Sequence, residues 1–214
     1  MENRHMYRPR HFDSNDNSAL FRVMRDNSFA LLVSAGGGGM VASHIPLSLD
    51  ADSGDRGRLF GHVARANDQW RGFDGKAEAM AVFQGVHAYV SPSWYVSETM
   101  VPTWNYVAVH AYGRPKVIAD AAAVRGHLER LVATYESPAT GPWSMDRLPD
   151  DYVQRMIKGI VAFEMPIERL EGKLKLSQNR SAADREGAIK GLEGSGDAVA
   201  REVARLMREF APTD

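Results

Sequence analysis

The sequence predicts a mainly β protein of the α+β class, in which antiparallel strands close into a barrel that carries helices. Between residues 29 and 119, short stretches with apolar residues at every second position follow one another, which is typical of β-strands. The intervals between these stretches leave almost no room for the connecting helices that a parallel sheet needs. Helical patterns are confined to the two ends and one late crossover. An open antiparallel sheet backed by helices is the alternative.

The individual strands follow from this alternation. The first, residues 29–34, is apolar enough to predict a buried strand, and the four glycines at 36–39 predict a turn after it. The stretch 78–90 predicts one long strand or two strands that meet near Gly85. Further strands are predicted at 40–49, at 58–65, within 100–115, at 116–119 and at 159–176.

Helices are predicted where apolar residues recur with a period of 3.6 residues. In 120–135 the predicted apolar stripe begins at Val124 and ends at Tyr135, and in 195–210 it begins at Val199 and ends at Phe210. Shorter helices are predicted at 14–27, 151–159 and 181–192, the first of them after Asn, Asp and Ser residues of the kind that cap helices.

Composition narrows the class of protein. The chain has 214 residues, of which 44% are hydrophobic and 25% charged, as in an ordinary soluble globular protein with one substantial core. The N-terminus is too polar for a signal peptide, and no apolar run is long enough for a membrane span. A cytoplasmic location is therefore expected, which suits a chain without cysteine.

Charge and histidine spacing argue against two kinds of site. A formal net charge of −1 gives no overall field that would attract nucleic acid. The seven histidines show no metal-binding spacing such as HExxH, so no metal site is predicted. No arrangement of nucleophile and base stands out, and no catalytic residue is assigned.

Four clusters at predicted strand ends combine polar donors with aromatic residues: 43–47, 61–70, 101–106 and 175–180. Any single residue in them has an ordinary structural explanation, such as Trp104 anchoring a core. Together they suit a planar, anionic, heteroaromatic ligand, because arginine binds phosphate through a fork of donors and tryptophan offers a flat apolar wall.

Three motifs in order, "GHVARANDQW", "VPTWNYVAVHAYGRP" and "KLSQNR", together with "MYRPRHF" and "ASHIPL", resemble the PaiB-like proteins, known as FMN-binding negative transcriptional regulators. The resemblance covers nearly the whole chain. Two departures are visible: Asp68 stands where the family pattern suggests proline, and the turn of four glycines is longer than usual.

The resemblance implies a split antiparallel β-barrel of the FMN-binding type at 1–176, with a C-terminal helical extension at 177–214. It further implies a homodimer that holds FMN at the subunit interface, with Arg65 as the first choice for its phosphate. The FMN-binding residues implied are Ser43, His44, His62, Arg65, Asn67, Thr103, Trp104, Asn105, Gln178, Asn179 and Arg180.

The resemblance also implies the function, a negative transcriptional regulator of the PaiB type. One alternative is a flavin-dependent oxidoreductase, and enzymatic activity stays open. Another is a haem-binding or haem-degrading split barrel with His44, His62 or His110 as axial ligand. DNA is a conceivable partner that the charge and the missing helix-turn-helix signature support only weakly.

Overall fold

The elements of the fold are taken from a computed structural model that describes residues 6–36, 39–137, 139–141 and 143–212. The strands within these ranges are β1 (Asp13–Ser14), β2 (Phe29–Gly36), β3 (Gly39–Pro46), β4 (Ser48–Asp50), β5 (Arg58–Ala64), β6 (Ala79–Val90), β7 (Thr103–Gly113), β8 (Lys116–Val117) and β9 (Ile160–Lys175). The α-helices there are α1 (Asn17–Asp26), α2 (Ala121–Tyr135), α3 (Asp150–Lys158), α4 (Ala182–Gly194) and α5 (Ala198–Glu209). Short 3₁₀ helices lie at Asp68–Gly72, Pro92–Trp94 and Met145–Arg147.

The strands form one sheet with the order β3-β2-β6-β7-β9-β5-β4, and β1 and β8 pair with β9 outside this path. The pairings of β2 with β3 and β6, and of β5 with β4 and β9, are antiparallel. The two strands at the ends of the path, β3 and β4, follow each other in the chain with only Leu47 between them. The strands at the two ends of the path are not paired with each other, so the sheet is open along its hydrogen-bonded path. The predicted mainly β, antiparallel α+β class is confirmed.

The chain divides into two compact units. The first consists of 1–27, 83–110 and 171–214, and the second of 28–82 and 111–170. Strands β6, β7 and β9 contribute residues to both units. The predicted division at residue 176 follows a different criterion and stays a prediction.

Four of the five α-helices in the described ranges begin where the sequence supplies a capping side chain, and α3 follows Pro149 without one. A carboxylate or hydroxyl oxygen of each capping residue accepts a hydrogen bond from a free backbone N–H of the first turn. These N-caps are Asp16 for α1, Asp120 for α2, Ser181 for α4 and Asp197 for α5. The predicted helix starts therefore agree with the structure to within a few residues.

Each unit has its own core. In the second unit Leu32, Leu59 and Met165 are fully buried, and the rings of Phe73 and Phe163 lie 4.8 Å apart. In the first unit the fully buried side chains include Leu20 and Met24 of α1, Phe83 of β6, Leu192 of α4 and Met207 of α5.

Three predicted details differ from the structure. Strand β2 buries only one face, since Ala30 and Leu32 are buried while Phe29 is 68% exposed. The predicted strand 40–49 is divided at Leu47, because β3 pairs with β2 and β4 pairs with β5. The predicted glycine turn lies partly outside the described residues, although its flanking residues Gly36 and Gly39 are paired.

The apolar stripes of two helices also differ. In α5 the buried residues are Ala200, Val203, Ala204 and Met207, whereas Val199 is 43% exposed. Small alanines thus occupy half of the buried face. In α2 the buried residues are Val124 and a histidine, His127, which apolar periodicity cannot identify.

Candidate functional site

The first unit carries a surface of aromatic and cationic side chains on β6, β7 and β9. We call it the aromatic–cationic face and define it by His87, Tyr89, Trp104, Tyr106, Lys173 and Lys175. It arises from strict alternation along β7, which buries Asn105, Val107 and Val109 and turns their neighbours to the opposite side of the sheet.

Trp104 is the centre of the aromatic part of this face. Its ring centroid lies 6.0 Å from that of Tyr89 at an interplanar angle of 74°, and 6.1 Å from that of His87. The tryptophan is nevertheless 53% exposed. A large indole held by neighbouring rings and open to solvent offers a flat surface to a planar ligand.

The cationic part comes from β9. The Lys175 ammonium donates hydrogen bonds to the Thr103 hydroxyl and, at 2.8 Å, to the carbonyl oxygen of Trp104. The Lys173 ammonium donates to the carbonyl oxygen of Tyr7 at 2.8 Å. The two ammonium nitrogens lie 5.4 Å (Lys173) and 6.0 Å (Lys175) from the centroid of the Tyr106 ring, so this ring is flanked by two positive charges.

Burial and neighbouring positive charges act on the same lysine at this end of β9. Burial, together with the charges of Lys173 and Arg180, lowers the pKa of Lys175 below its ordinary value. The Arg180 guanidinium lies 5.6 Å from the centroid of the Tyr95 ring and donates to the Met100 sulfur at 3.4 Å. Three positive charges therefore lie beside aromatic rings, Lys173 and Lys175 beside Tyr106 and Arg180 beside Tyr95.

Asn105 lies on the opposite, buried face of β7. Its amide Nδ2 donates to the Ser177 hydroxyl at 2.9 Å and to the Met207 sulfur at 3.3 Å. Ser177 has a φ of +64°, in the left-handed region that non-glycine residues seldom adopt. Asn105 therefore holds the turn with which the chain leaves β9.

The three predicted residues after this turn differ in their surroundings. The Gln178 side chain accepts from the backbone N–H of Leu176 at 2.8 Å and donates to the carbonyl of Leu174 at 2.7 Å. Asn179 is exposed, and Arg180 is half-buried. The structure thus brings Asn105 and Gln178 into the framework of the turn and leaves Asn179 and Arg180 accessible.

The second unit holds the other predicted residues. Asn67 Nδ2 donates to the Ser43 hydroxyl at 2.8 Å, and its Oδ1 caps the following 3₁₀ helix by accepting from the backbone N–H of Gln69 at 3.1 Å. Gln69, buried below, donates to the carbonyl of Leu32 and the hydroxyl of Ser34, both at 3.1 Å. The predicted pair Ser43 and Asn67 is therefore in direct contact.

Arg65 follows β5 and is exposed, and two of the three nitrogens of its guanidinium are engaged. Its Nε donates to the carbonyl of Lys158 at 2.6 Å, and one terminal nitrogen donates to the carbonyl of Ile160 at 2.8 Å. These bonds satisfy carbonyls between the end of α3 and the start of β9. The backbone carbonyl of Arg65 itself accepts from the Trp70 indole at 3.0 Å.

The two predicted histidines of the second unit are not equivalent. His44 is exposed on β3, with its ring 6.3 Å from that of Phe29. His62 Nδ1 lies 3.3 Å from Nε2 of the fully buried His127. Burial lowers the pKa of His62, and burial, followed by the charges of His62 and Arg130, lowers that of His127 to about 4. His62 is thus half of a neutral histidine pair.

Two kinds of feature are missing from the described ranges. They contain no group of three or more histidine, cysteine, aspartate or glutamate side chains placed to hold a metal ion. Among the helices described there, none has the length and apolar character that a membrane crossing requires.

Residues 6–169 match the profile of the family described as "Putative FMN-binding domain". The chain belongs to this FMN-binding family. It is also similar to the protease synthase and sporulation protein PAI 2 of Bacillus subtilis, with 34% identity over 204 residues that cover 95% of this chain and 97% of the relative. The resemblance to the PaiB-like proteins is confirmed, and FMN is the cofactor of the family to which the chain belongs.

Solved structures support the fold. The flavocytochrome Anf3 of Azotobacter vinelandii superposes with a TM-score of 0.63 at 16% identity, covering 81% of this chain and 74% of that one. The FAD and haem binding protein of Mycobacterium smegmatis gives a TM-score of 0.57 at 19% identity, covering 76% and 73%. At these low sequence identities the comparison shows a shared fold, and this chain has the fold of both proteins.

The residues present fit FMN chemically. FMN has a planar heteroaromatic ring, a hydroxylated chain and a phosphate. The aromatic–cationic face of the first unit supplies exposed rings and positive charges. In the second unit, taken by itself, Ser43 and Asn67 offer neutral donors and acceptors. Sequence reasoning missed Lys173 and Lys175 on this face, although Lys175 is the first residue of the motif "KLSQNR".

Proposed function

We propose that this FMN-binding protein holds FMN non-covalently against the aromatic–cationic face and acts as a negative transcriptional regulator of the PaiB type. The observation that carries the proposal is the half-exposed Trp104, fixed between other rings beside a cluster of cations. A flat apolar ring next to positive charge matches the two ends of a flavin mononucleotide. Similarity to the sporulation protein PAI 2 supports the regulatory part.

Within this proposal the predicted residues divide by role. Trp104 and Thr103 of the first unit lie at the edge of the flavin, and the predicted role of Ser43, His44 and Asn67, which belong to the second unit, stays a prediction. Asn105 and Gln178 position the turn after β9, since their side chains bond to neighbouring parts of the chain. Bound FMN supplies the redox chemistry of its ring system, so no catalytic side chain is assigned.

Trp104→Ala tests whether the flavin ring binds against the indole of Trp104. Titration with FMN, followed by quenching of flavin fluorescence, is expected to show about 5- to 150-fold weaker binding, because a stacked aromatic contributes about 1–3 kcal/mol. Trp143→Ala is the matched control, since Trp143 is also half-exposed, at 41%, and belongs to the second unit. Equal FMN affinity of both variants would remove Trp104 from the site, and a wild-type protein that binds no FMN would refute the proposal.

The same sample separates the alternatives. Added FMN gives a flavin absorption spectrum, whereas a haem protein gives a Soret band on addition of haem. Flavin-dependent oxidation of a reduced nicotinamide, measured with FMN bound, would favour the oxidoreductase. Among the haem ligands considered, His62 already contacts His127.

We also propose that two copies of the chain enclose FMN between them. The proposal is supported by exposed apolar side chains in the first unit, which include Tyr89, Val96, Val101 and Trp104. Light scattering coupled to size exclusion, with and without FMN, measures the oligomeric state. A monomer that binds FMN with full affinity would contradict a shared site.

Two further parts of the proposal need their own tests: direct binding to DNA and a cytoplasmic location. A net charge of −1 gives direct DNA binding little support. A mobility shift of a promoter fragment that weakens steeply with salt would establish it. Absence of a shift at low salt would make the regulation indirect, and cell fractionation tests the location.

A further inference from the structure

Two cations at the end of β9 lack an opposite charge. Within the described residues no carboxylate lies within salt-bridge distance of Lys175 or Arg180, whereas ten of the eighteen other arginines there have a partner carboxylate. The charges of Lys173 and Arg180 instead act on Lys175 in the same direction as burial and lower its pKa. Grouping like charges in this way costs free energy that a bound anion would recover.

Both groups retain hydrogen-bond donors for such an anion. The Lys175 ammonium has three N–H donors and uses two, for the Thr103 hydroxyl and the Trp104 carbonyl. The Arg180 guanidinium has five, and its described polar contact is with the Met100 sulfur. An ammonium and a guanidinium with free donors are the groups that bind phosphate most strongly.

We propose that Lys175 and Arg180 form the subsite that binds the phosphate of FMN. The inference rests on the proposed function and deepens it, by placing the phosphate in the first unit. Lys175 places this subsite next to the indole of Trp104, because its ammonium is hydrogen-bonded to the backbone carbonyl of Trp104. A ligand with a planar ring and a phosphate can therefore engage both.

The competing position is Arg65, for which the contacts are different. Two nitrogens of its guanidinium are bonded to backbone carbonyls at 2.6 Å and 2.8 Å. Binding a phosphate in the same plane would compete with carbonyls that need these donors at the end of α3. Arg65 thus uses two of its five donors to stabilise the chain between α3 and β9, whereas the described contacts of Arg180 include no bond to a protein oxygen.

The test compares FMN with riboflavin, which has the same ring and chain but no phosphate. The dissociation constants of both flavins are measured by fluorescence quenching for the wild type, Lys175→Gln, Arg180→Gln and Arg65→Gln. Lys190→Gln is the matched control, because this lysine lies exposed on α4 of the same unit. Lys175→Gln and Arg180→Gln are each expected to weaken FMN binding about 10- to 100-fold and to leave riboflavin within about twofold.

The outcomes distinguish a failure of the proposed FMN binding from a failure of the phosphate subsite alone. Wild-type protein that binds neither flavin refutes the proposed function. Wild-type protein that prefers FMN, with the preference lost in Arg65→Gln and kept in Lys175→Gln and Arg180→Gln, overturns the subsite and leaves the function standing. Lys175→Arg, which keeps the charge, should keep most of the preference.

A measurement on the wild type guards against variants that fail to fold. Inorganic phosphate is expected to compete with FMN and to leave riboflavin binding unchanged, and a Lys175→Gln or Arg180→Gln variant that folds should lose this competition. Competition by phosphate that persists unchanged in both folded variants overturns the assignment.

Discussion

Replacing Asn105 by alanine removes the amide that holds the turn after β9. The Ser177 hydroxyl then loses both hydrogen bonds that join it to Asn105, at 2.9 Å and 3.2 Å. An unpaired buried hydroxyl costs about 1–3 kcal/mol, and the cavity left by the carboxamide adds about 1 kcal/mol. We therefore expect Asn105→Ala to lower the free energy of unfolding by about 2–4 kcal/mol.

The matched comparison is Val109→Ala, on the same buried face of β7 and also fully buried. It should cost a similar amount, about 1–3 kcal/mol, from the lost methyl groups and the cavity. Val109 lies farther along β7 than the residue bonded to Ser177, so FMN affinity should fall only in Asn105→Ala. Urea unfolding without flavin measures stability, and FMN titration of the folded variants measures affinity.

Ser177→Gly supplies the decisive control. Glycine adopts a φ of +64° without steric cost and removes the hydroxyl that Asn105 satisfies. In the double variant the alanine at 105 should therefore cost less than it does alone, with a coupling of about 1 kcal/mol or more. Additive costs, or equal FMN affinity in Asn105→Ala and Val109→Ala, would refute the positioning role.

Three further predictions concern stability. Burial lowers the pKa of His127 from 6.5 to about 4. The buried neutral imidazole therefore contributes up to about 3 kcal/mol to the free energy of unfolding above pH 6.5, and this contribution is lost as the pH falls towards 4. Urea unfolding across this range should show that the free energy of unfolding depends on pH, with a slope that His127→Phe reduces. Gly187→Ala would place a Cβ 2.1 Å from the carbonyl oxygen of Trp94 and should destabilise by about 1–3 kcal/mol, whereas Gly194→Ala in the same helix meets nothing within 4 Å and should not lower the melting temperature. Asp184→Asn should lower the melting temperature, since both carboxylate oxygens accept hydrogen bonds from the loop before β7 or from the helix cap.

The strands and helix starts were predictable because they depend on local patterns. Alternation in 58–65 and 103–113 places side chains on two faces whatever lies beyond the sheet. Capping by Asp120 or Ser181 involves residues only a few positions apart. These features need no knowledge of tertiary contacts, and the structure agrees with them.

The missed features depend on partners that are distant in sequence. His127 is buried because it meets His62, which lies 65 positions away, and a search for apolar stripes passes over a histidine. Lys175 gains its importance from Thr103, 72 positions away, and from the other cations around it. Lysine at a strand end is usually a solvated residue, so the sequence alone favours the ordinary explanation.

The strand β7 links the core to the proposed ligand surface. Its residues alternate between faces, so a shift of register by one residue would bury Trp104 and expose Asn105. The bond from Asn105 to Ser177 on one face and the bond from Lys175 to the Trp104 backbone on the other both fix β7 against the end of β9. Asn105 can therefore influence FMN affinity without touching the ligand, because it fixes the register that sets where the indole and the ammonium lie.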